Sequence, residues 1–446
     1  MIYDENGHIT NKKILVVGLS KSGYNVAKLL AKDNNITITD KSDEDQNKIN
    51  ELKDLGVTFI KSDNQEELLD SSYDLLIRNP GVDPHNKIII KSKELNIPVL
   101  NDIEVAYHYL PKGVKIIGIT GSNGKTTTTT MIYEILKKMG EKVILGGNIG
   151  YPLSEIVSQV DNDSILVLEI SDHQLYDCVD FKTNISVLTM LCPTHLDFHD
   201  TYENYINIKK KIFNHHTKED LAIINEKNED SLKITSDINS SKVYFNGKNA
   251  YIKDEAIYVN DEEIIKLDDI KIKGNHNYEN IMACLLVINE FGIDKDIIKD
   301  YFNNFKGVEH RLEYVDTING VSYYNDSKAT NPTSTYIAIN SFKGNVHLIL
   351  GGFERKQDFN ELNDVINKVK CIYALGECED RVFDYANSQN IPCVKCHTLE
   401  NAMNEINSSV QPGDVVLLSP ASASWDQYKR FEDRGEEFKK KVDNLK

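Results

Sequence analysis

Short apolar runs alternate with amphipathic segments along most of this 446-residue chain. In the first hundred residues, segments such as GYNVAKLLAK have a helical period and separate the apolar runs KKILVVG, NITITD, VTFI, DLLIRNPG and IPVLND. Strands that are buried on both faces of a parallel sheet are continuously apolar in this way. The pattern therefore predicts an α/β fold built from βαβ units.

Two further stretches repeat this alternation. The second contains KIIGITG, KVILGG, SILVLEIS, NISVLTM and LAIIN, and the third contains VHLILGG, CIYALG, IPCVKC and DVVLLSP. Residues 243–267 instead resemble short antiparallel strands, and two helices are expected around 275–304. The length of the chain predicts two to four domains, and the three alternating stretches place them at 1–107, 108–307 and 308–446.

Local signals predict two features of the third stretch. Asn319-Gly320 is typical of a tight hairpin turn. The last segment, SWDQYKRFEDRGEEFKKKV, predicts a charged amphipathic helix.

The charge balance excludes some classes of partner. The chain has 69 acidic and 51 basic residues, a formal charge of −18. Nucleic acids and anionic membranes are bound by basic surfaces, so neither is an expected partner. The N-terminal MIYDENGHITNKK has no signal-peptide apolar region, and no apolar run approaches membrane-spanning length. Seven scattered cysteines do not suggest a disulfide framework, so we expect a cytoplasmic protein.

The segment Cys393-Val-Lys-Cys396-His397 matches the spacing of haem attachment. The same residues also form a plain strand, IPCVKCH, between two helical segments. We prefer the strand interpretation, because nothing else in the chain suggests export or a haem cavity.

The segment GITGSNGKTTTTT at 118–130 lies between an apolar strand and a helical segment. The strict phosphate-loop pattern requires glycine where this chain has Ile119, but Gly121 and Gly124 still allow close approach of an anion. The helix start attracts negative charge, Lys125 can reach terminal phosphates and Thr126 suits Mg²⁺. The alternative is a glycine-rich turn with no ligand.

A second turn, Gly18-Leu-Ser20-Lys-Ser-Gly23, follows the first strand, and Asp40 ends the second. The dinucleotide fingerprint requires glycine at position 20, so Ser20 disfavours NAD. A single pyrophosphate, as in a nucleotide-sugar, needs a less close approach. A plain βα turn is the alternative.

Potential cation ligands follow two later strands. Glu169 ends a buried strand, where a carboxylate is costly unless it is paired or bound to metal. The next segment, PTHLDFHDTYENYINIKKKIF, carries His195, Asp197 and His199, and then the three lysines 209–211. Carboxylates and a histidine beside a phosphate loop suit Mg²⁺.

Together these elements resemble the Mur ligases, ATP-dependent amide-bond ligases of peptidoglycan precursor synthesis that share their central domain with folylpolyglutamate synthetase. The resemblance covers nearly the whole chain in order. It is carried by GSNGKT at 121–126, GGNIG at 146–150, GNHNYEN at 274–280, GVEHR at 307–311, YNDSKATNP at 324–332 and SPASASWDQYKRFEDRGEEF at 419–438. DSKATN and SWDQYxxFExRGxxF resemble the branch that adds D-glutamate, and the D-N-P-R motif of the diaminopimelate-adding branch is absent.

The resemblance implies a fold and a reaction. The N-terminal domain would be Rossmann-like and bind UDP, the central domain would be a P-loop ATPase with a mostly parallel sheet, and the Rossmann-like C-terminal domain would bind the amino acid and close on ATP. ATP would convert the carboxylate of UDP-N-acetylmuramoyl-L-alanine to an acyl phosphate. The amine of D-glutamate would then attack, and a tetrahedral intermediate would collapse to amide and phosphate. The base that deprotonates the amine is not assigned. We expect a monomer acting on these small molecules.

The resemblance also implies residue roles. The catalytic residues would be Lys125, Glu169, His195, Lys209 and Lys328. ATP would contact Gly121, Ser122, Asn123, Gly124, Lys125, Thr126, Thr127, Asn277, Asn280, His310, Arg311, Asp326 and Lys328. The UDP-substrate would contact Lys21, Ser22, Asp40, Lys41, Ser42, Asn79, Gly81, Asn148 and His195. D-glutamate would contact Thr330, Arg355, Ser424 and Phe431. Two Mg²⁺ ions would be held by Thr126, Glu169, His195 and Lys209, the last as a CO₂-derived carbamate. Lys210 and Lys211 would face solvent.

The chain departs from the family pattern at two places. Asp172 and His173 stand where the family usually has Ser-Phe, so residues near Glu169 are expected to pack differently. Arg355 stands where some members have lysine, and Lys356 is an alternative partner for the substrate carboxylate.

Three other functions compete with this interpretation. A folylpolyglutamate-type ligase would act on a different acceptor. A nucleotide-dependent switch would hydrolyse ATP without an acceptor. An NAD-dependent dehydrogenase would use the Gly18 turn, which Ser20 disfavours.

Overall fold

The computed structural model describes residues 2–43 and 45–446, without the side chains of Leu196 and Asp197. Asp197, one of the potential cation ligands named above, therefore lies outside the described side chains. Across this range the backbone forms three sheets joined by helices. The α/β prediction is confirmed.

The first sheet has the order β3-β2-β1-β4-β5 in the described part of the chain, and every pair is parallel. Its strands are β1 Lys13–Val17, β2 Asn35–Asp40, β3 Thr58–Lys61, β4 Leu75–Arg78 and β5 Val99–Leu100. Its helices are α1 Lys21–Leu30, α2 Gln46–Asp54, α3 Lys87–Glu94 and α4 Asp102–Tyr107. Apolar residues on both sheet faces form two buried clusters, as continuous apolar strands require.

The second sheet has the order β14-β13-β12-β11-β10-β9-β6-β8-β7 over the described residues. Its strands are β6 Lys115–Thr120, β7 Val143–Gly147, β8 Ile165–Glu169, β9 Ile185–Leu188, β10 Leu221–Asn225, β11 Ser241–Phe245, β12 Ala250–Lys253, β13 Ala256–Val259 and β14 Glu262–Lys266. The helices that follow these strands are α5 Lys125–Lys138, α6 Leu153–Ile156, α7 Asp172–Leu175, α8 Leu196–His199, α9 Tyr202–Lys210, α10 Glu229–Ile234, α11 Asn275–Asn289 and α12 Lys295–Asn304.

One part of the antiparallel prediction is wrong. Strands β12 to β14 are antiparallel as expected, joined by two-residue turns whose central residues all have positive φ. Strand β11, however, runs parallel to β10. The reason is the connection, because helix α10 carries the chain back across the sheet before β11 begins.

The third sheet has the order β15-β16-β20-β17-β18-β19 in the described region. Its strands are β15 Glu313–Ile318, β16 Val321–Asn325, β17 Val346–Gly351, β18 Val369–Leu375, β19 Cys393–His397 and β20 Val415–Leu418. Its helices are α13 Pro332–Asn340, α14 Glu379–Ser388, α15 Leu399–Ser409 and α16 Phe431–Asp443. The predicted hairpin is present, since β15 and β16 are antiparallel around Asn319 and Gly320, both with positive φ. The strand interpretation of Cys393–His397 is also confirmed.

The C-terminal helix is shorter than predicted. It begins at Phe431 rather than near Ser424. The segment before the helix follows β20 at the carboxyl edge of the sheet, and its Ser422 and Ser424 are buried there. The buried Arg434 donates a hydrogen bond to the carbonyl oxygen of Ser422. A continuous helix could not place those groups at the strand end.

The chain divides into two compact units. The first contains residues 1–267 and 279–299, with the first and second sheets, and the second contains residues 268–278 and 300–446, with the third sheet. The boundaries at 107/108 and 307/308 remain predictions. No helix among the described residues is both long and apolar enough to cross a membrane.

Candidate active site

The glycine-rich loop connects β6 to α5, and two of its glycines are required by its shape. Gly121 and Gly124 have φ values of 144° and 82°. A Cβ at Gly121 would lie 2.0 Å from Thr189 Oγ1, and one at Gly124 would lie 2.3 Å from Asn280 Oδ1. No side chain caps the N-terminus of α5. The two glycines therefore let an anion approach the backbone closely at the start of α5, where a helix carries a partial positive charge.

The loop is tied to helix α9. Ser122 Oγ lies 2.8 Å from the hydroxyl of Tyr205, one turn before Lys209. Lys125 Nζ donates to the carbonyl oxygens of Gly121 and Ser122, at 2.8 and 3.0 Å. Thr126 is buried in the first turn of α5. The other two predicted loop residues, Asn123 and Thr127, are half-buried at the same turn.

Glu169 ends β8, the strand between β6 and β7. It pairs in register with Ile119 of β6, so it lies at the sheet edge from which the loop starts. Its side chain is 1% exposed. Oε1 accepts a 2.6 Å hydrogen bond from Asn148 Nδ2, whereas Oε2 has no hydrogen-bond partner among the described residues. A buried carboxylate oxygen without a hydrogen-bond partner is suited to bind a cation.

A second carboxylate gathers three imidazoles and an ammonium. Asp172 Oδ2 lies 2.9 Å from His195 Nδ1, 2.8 Å from His199 Nε2 and 3.3 Å from His173 Nδ1. Asp172 Oδ1 lies 3.2 Å from Lys209 Nζ. We call these five residues the Asp172 cluster. Asp172 and His173, the two residues that depart from the family pattern, are both members of this cluster.

Charge and burial oppose each other in the Asp172 cluster. Burial alone would raise the pKa of Asp172, but the hydrogen bonds from His195 and His199 and the charge of Lys209 outweigh it and lower that pKa well below its usual range. Burial lowers the pKa of His173 to about 4, despite Asp172. The carboxylate is therefore ionised and His173 neutral at neutral pH.

Lys209 is fully buried near the end of α9. Its Nζ donates to Thr120 Oγ1 at 3.1 Å, besides the contact with Asp172. Burial lowers the pKa of Lys209, although Asp172 acts in the opposite direction. Lys209 thus connects the end of β6 to Asp172.

The two neighbouring lysines differ from each other. Lys210 makes a surface ion pair of 2.7 Å with Asp237, close to the expectation of a solvent-facing residue. The expectation is wrong for Lys211, which is half-buried and donates to the carbonyl oxygens of Tyr176 and Cys178. Those carbonyls follow α7 and need donors.

The UDP-substrate residues of the first sheet meet at one edge. Asp40 accepts from the backbone N–H of Leu19 at 2.6 Å, and Asn79 donates to Ser20 Oγ. The turn after β1 and the ends of β2 and β4 are therefore held together. The other predicted residues of this group lie at the same edge: Lys21, Ser22, Lys41, Ser42 and Gly81. Asn148 instead follows β7 of the second sheet, beside Glu169.

Buried polar side chains gather at the start of the third sheet. His310 Nδ1 accepts from Asn325 Nδ2 at 2.9 Å. Asp326 accepts from the backbone N–H of Leu312 and from Ser419 Oγ, and burial raises the pKa of Asp326 to about 7. Lys328 follows, with Nζ 6.0 Å from the ring centre of Phe431.

The predicted D-glutamate residues follow three different strands of the third sheet. Thr330 lies beyond β16, Arg355 beyond β17, and Ser424 beyond β20. The guanidinium of Arg355 stacks on the exposed ring of Trp425, 4.4 Å from its centre. Ser424 Oγ is buried without a hydrogen-bond partner in the described part of the chain. These polar groups share the carboxyl edge of the sheet, where α/β proteins bind ligands.

The structure brings one part of the predicted set together within the first unit, namely Gly121 to Thr127, Asn148, Glu169, His195, Lys209 and Asn280. The second unit contains Asn277, His310, Arg311, Asp326, Lys328, Thr330, Arg355, Ser424 and Phe431.

Two site residues were not predicted as such from the sequence. The sequence shows Asp172 only as a departure from the family pattern, and apart from the adjacent His173 its partners lie 23 or more positions later in the chain. Arg78 is fully buried at the end of β4 and donates to Asp177 Oδ2 at 2.7 Å and to the carbonyl oxygen of His173 at 3.2 Å. A charged residue that ends an apolar strand, LLIR, is the only local signal for it.

Two family descriptions match the chain. "Mur ligase middle domain" matches residues 119–288, and "Mur ligase, glutamate ligase domain" matches residues 310–422. Together they cover more than half of the chain.

Curated relatives match over nearly the full length. A protein of Streptococcus agalactiae serotype III named UDP-N-acetylmuramoylalanine–D-glutamate ligase is 40% identical over 435 residues, which cover 96% of both chains. A protein of the same name from Geobacillus sp. strain WCH70 is 40% identical over 444 residues, which cover 98% of both chains.

Solved structures share the fold at low identity. The UDP-N-acetylmuramate–alanine ligase of Thermotoga maritima has a TM-score of 0.60 at 16% identity, covering 98% of this chain and 100% of its own. The MurF ligase of Thermotoga maritima in complex with ADP has a TM-score of 0.56 at 17% identity, covering 99% and 97%. The likeness shows the three-sheet architecture to be that of these ligases.

Proposed function

The chain belongs to the Mur ligase family, and from this membership we propose that it is an ATP-dependent ligase that adds D-glutamate to UDP-N-acetylmuramoyl-L-alanine. The observation that carries the ligase chemistry is the meeting of three features at the carboxyl ends of β6 and β8. These are the Gly121–Thr127 loop, the buried carboxylate of Glu169 and the buried amine of Lys209. The choice of D-glutamate as the added amino acid rests on the name that the relatives matched over nearly their full length share.

The chemistry explains the need for ATP. A carboxylate is a poor acyl donor because oxide is a poor leaving group. Transfer of the γ-phosphoryl group to the carboxylate of the alanyl residue gives an acyl phosphate and ADP. The amine of D-glutamate then attacks the carbonyl carbon, loses a proton and displaces phosphate, which leaves an amide bond.

Residues of the first unit fit a magnesium nucleotide. Lys125 and the backbone at the start of α5 would hold the phosphates, and Thr126 and Glu169 would hold one Mg²⁺. The unpartnered Oε2 of Glu169 supports this assignment. His195 would hold a second Mg²⁺, and the two ions would offset the charge of the transferring phosphoryl group.

We assign Lys209 as the site of a CO₂-derived carbamate. Its burial supports this assignment, because a lowered pKa increases the fraction of free amine, the form that reacts with CO₂. A carbamate at Nζ would stand beside the ionised Asp172 carboxylate, 3.2 Å away. Two adjacent anions require a divalent cation between them, so the carbamate fits together with bound metal.

The remaining assignments follow from the family motifs. Asn277, Asn280, His310, Arg311, Asp326 and Lys328 would contact the nucleotide. The edge of the first sheet, with Asp40 and Asn79 at its centre and Asn148 from the second sheet, would bind the UDP-sugar. Arg355 would pair with a carboxylate of D-glutamate, since a guanidinium binds carboxylates with two parallel hydrogen bonds.

We further propose that the enzyme acts as a cytoplasmic monomer on these small molecules, without nucleic acid or membrane as partner. The formal charge of −18 supports the absence of polyanionic partners.

The test is ATP turnover with UDP-N-acetylmuramoyl-L-alanine and a panel of amino acids. We expect ADP, phosphate and a new amide only when D-glutamate is present. Equal turnover with L-glutamate or meso-diaminopimelate would reassign the acceptor, and turnover with folates would point to a folylpolyglutamate-type enzyme. ATP hydrolysis that ignores every acceptor would contradict the proposal.

A further inference from the structure

Asp172, His173 and His195 bring together three donor atoms that are suited to one cation. The oxygen and the two ring nitrogens all lie within 4.8 Å of one another. Two ligands bound at right angles at about 2.1 Å from a metal are about 3.0 Å apart. The separations of 2.9 and 3.3 Å between Asp172 Oδ2 and the nitrogens of His195 and His173 match that spacing.

Ordinary hydrogen bonding does not account fully for this arrangement. A single carboxylate oxygen has about two lone-pair sites. Three imidazole nitrogens nevertheless converge on Oδ2 of Asp172, and Lys209 is on the other oxygen. His199 can hold Oδ2 in place, which leaves His173 and His195 facing the same oxygen from the accessible side, where their side chains are 26% and 48% exposed.

A second observation places this triad next to cation chemistry. Glu169 lies three residues before Asp172, and its Oε2 is buried without a hydrogen-bond partner in the described structure. Lys209 lies under the electrostatic influence of both carboxylates. The two carboxylates therefore belong to one electrostatic region at the end of β8.

We propose that Asp172, His173 and His195 form a nitrogen-rich cation site that prefers divalent ions of the first transition series, such as Mn²⁺, Co²⁺ or Zn²⁺, to Mg²⁺. Mg²⁺ prefers oxygen ligands and retains its water, whereas imidazole nitrogen suits transition metals. The inference rests on the proposed function and deepens it, because it adds Asp172 and His173 to His195 at the second cation and names metals that bind there more tightly than Mg²⁺.

The experiment uses the full chain without nucleotide and Co²⁺ as the probe. Visible absorption should show one bound Co²⁺ per chain, displaced by Mg²⁺ only at an excess of at least tenfold. His173→Phe, which restores the aromatic residue usual in the family, should weaken Co²⁺ binding by at least tenfold. His85→Phe is the matched control, because His85 also lies 3.0 Å from an aspartate, Asp83, but outside the triad. It should bind Co²⁺ like the unmodified protein.

Pulsed EPR of bound Mn²⁺ then counts nitrogen ligands directly. We expect two imidazole nitrogens in the unmodified protein and one in His173→Phe. The number of bound nitrogens in the unmodified protein tests the proposed site even if the variant folds poorly. Absence of a Co²⁺ site, equal competition by Mg²⁺, a count of one or none, or unchanged binding by His173→Phe would overturn the proposal. Failure of D-glutamate-dependent phosphate release in Mg²⁺ would instead count against the proposed function, so the two failures are distinguishable.

Discussion

Single buried charges govern this site at the scale of the residue. Lys209 is enclosed by Thr120, Asp172 and the ring of Tyr205, whereas its neighbour Lys210 reaches the surface. The two lysines are adjacent in sequence but point into different environments, because successive helical residues are turned by 100°. This contrast allows the role of Lys209 to be tested with a matched control.

If Lys209 carries the proposed carbamate, Lys209→Ala should lose activity by on the order of 10²-fold or more, because the variant lacks that anionic ligand for the cations. Phosphate release assays should show partial recovery with short-chain carboxylic acids, which supply an oxygen ligand, and none with high bicarbonate. Lys210→Ala should remain near full activity, since its ion pair with Asp237 is at the surface. Full activity of Lys209→Ala would refute the carbamate assignment.

Asp102 is a buried acid whose charge is costly. It is 1% exposed at the start of α4, and burial raises its pKa to about 7, against a smaller opposing effect of local hydrogen bonds. The folded state therefore holds a proton that the unfolded state releases near its ordinary pKa of 3.8. This contribution to stability is complete below that value and is lost as the pH rises through about 7.

Asp102→Asn should consequently become more stable relative to the unmodified protein as the pH rises from 5 to 7. The difference should grow by up to about 1.4 kcal/mol per pH unit. Urea unfolding at several pH values measures it. Asp43→Asn is the control, because the exposed carboxylate of Asp43 is paired with Lys61, which lowers its pKa. That carboxylate is ionised in both the folded and the unfolded state from pH 5 to 7, so the difference for this variant should stay constant. For Asp102→Asn, a difference that stays constant from pH 5 to 7 would contradict the buried-acid account.

At the scale of the element, the short helix α7 and the loop after it are fixed by residues of the first sheet. Arg78 donates to the carbonyl oxygen of His173, and Asn101 donates to that of Gln174. The carboxylate of Glu104 accepts from three successive backbone N–H groups, those of residues 179 to 181, at 2.8 to 3.0 Å. A four-residue helix cannot hold itself in place. The first sheet thus positions the helix that carries Asp172 and His173.

Arg78→Lys should destabilise the first unit by roughly 2–4 kcal/mol. Lysine cannot reach Asp177, Val82 and His173 at once, and removal of one partner leaves a buried carboxylate uncompensated. The free energy of unfolding from urea titration is the measurement. Lys28→Met removes a surface ion pair with Glu51, which joins helices α1 and α2, and should change that free energy by less than about 1 kcal/mol. Equal effects of the two variants would show that the buried Arg78–Asp177 pair contributes no more to the free energy of unfolding than the surface pair.

At the scale of the whole molecule, the two compact units have separate apolar cores. The clusters around β1, β4 and β8 lie in the first unit, and those around β17 and β20 lie in the second. Chains with separate cores unfold in more than one transition.

Calorimetry of matched core variants tests this division. Leu166 of β8 and Leu348 of β17 are both completely buried. Each change to alanine should cost about 2–5 kcal/mol and lower one transition while leaving the other in place. A single transition that shifts equally in both variants would show that the chain unfolds as one unit.

The sequence by itself determined the α/β class, the order of elements and the glycine-rich loop before α5. These features are local, since the period of apolar residues and the glycines at 121 and 124 follow from neighbouring residues. Two predictions from the sequence are wrong, the direction of β11 and the start of α16. At these places the connection between elements and the burial of side chains decide the structure, and the local residue pattern does not.

Only the tertiary structure decided the chemistry around Asp172. His195, His199 and Lys209 come 23, 27 and 37 residues after it, and Arg78 reaches Asp177 across 99 residues. No local rule predicts which distant side chains contact the same buried carboxylate. Burial strengthens the electrostatic interactions between these groups, and burial exists only after the strands have assembled.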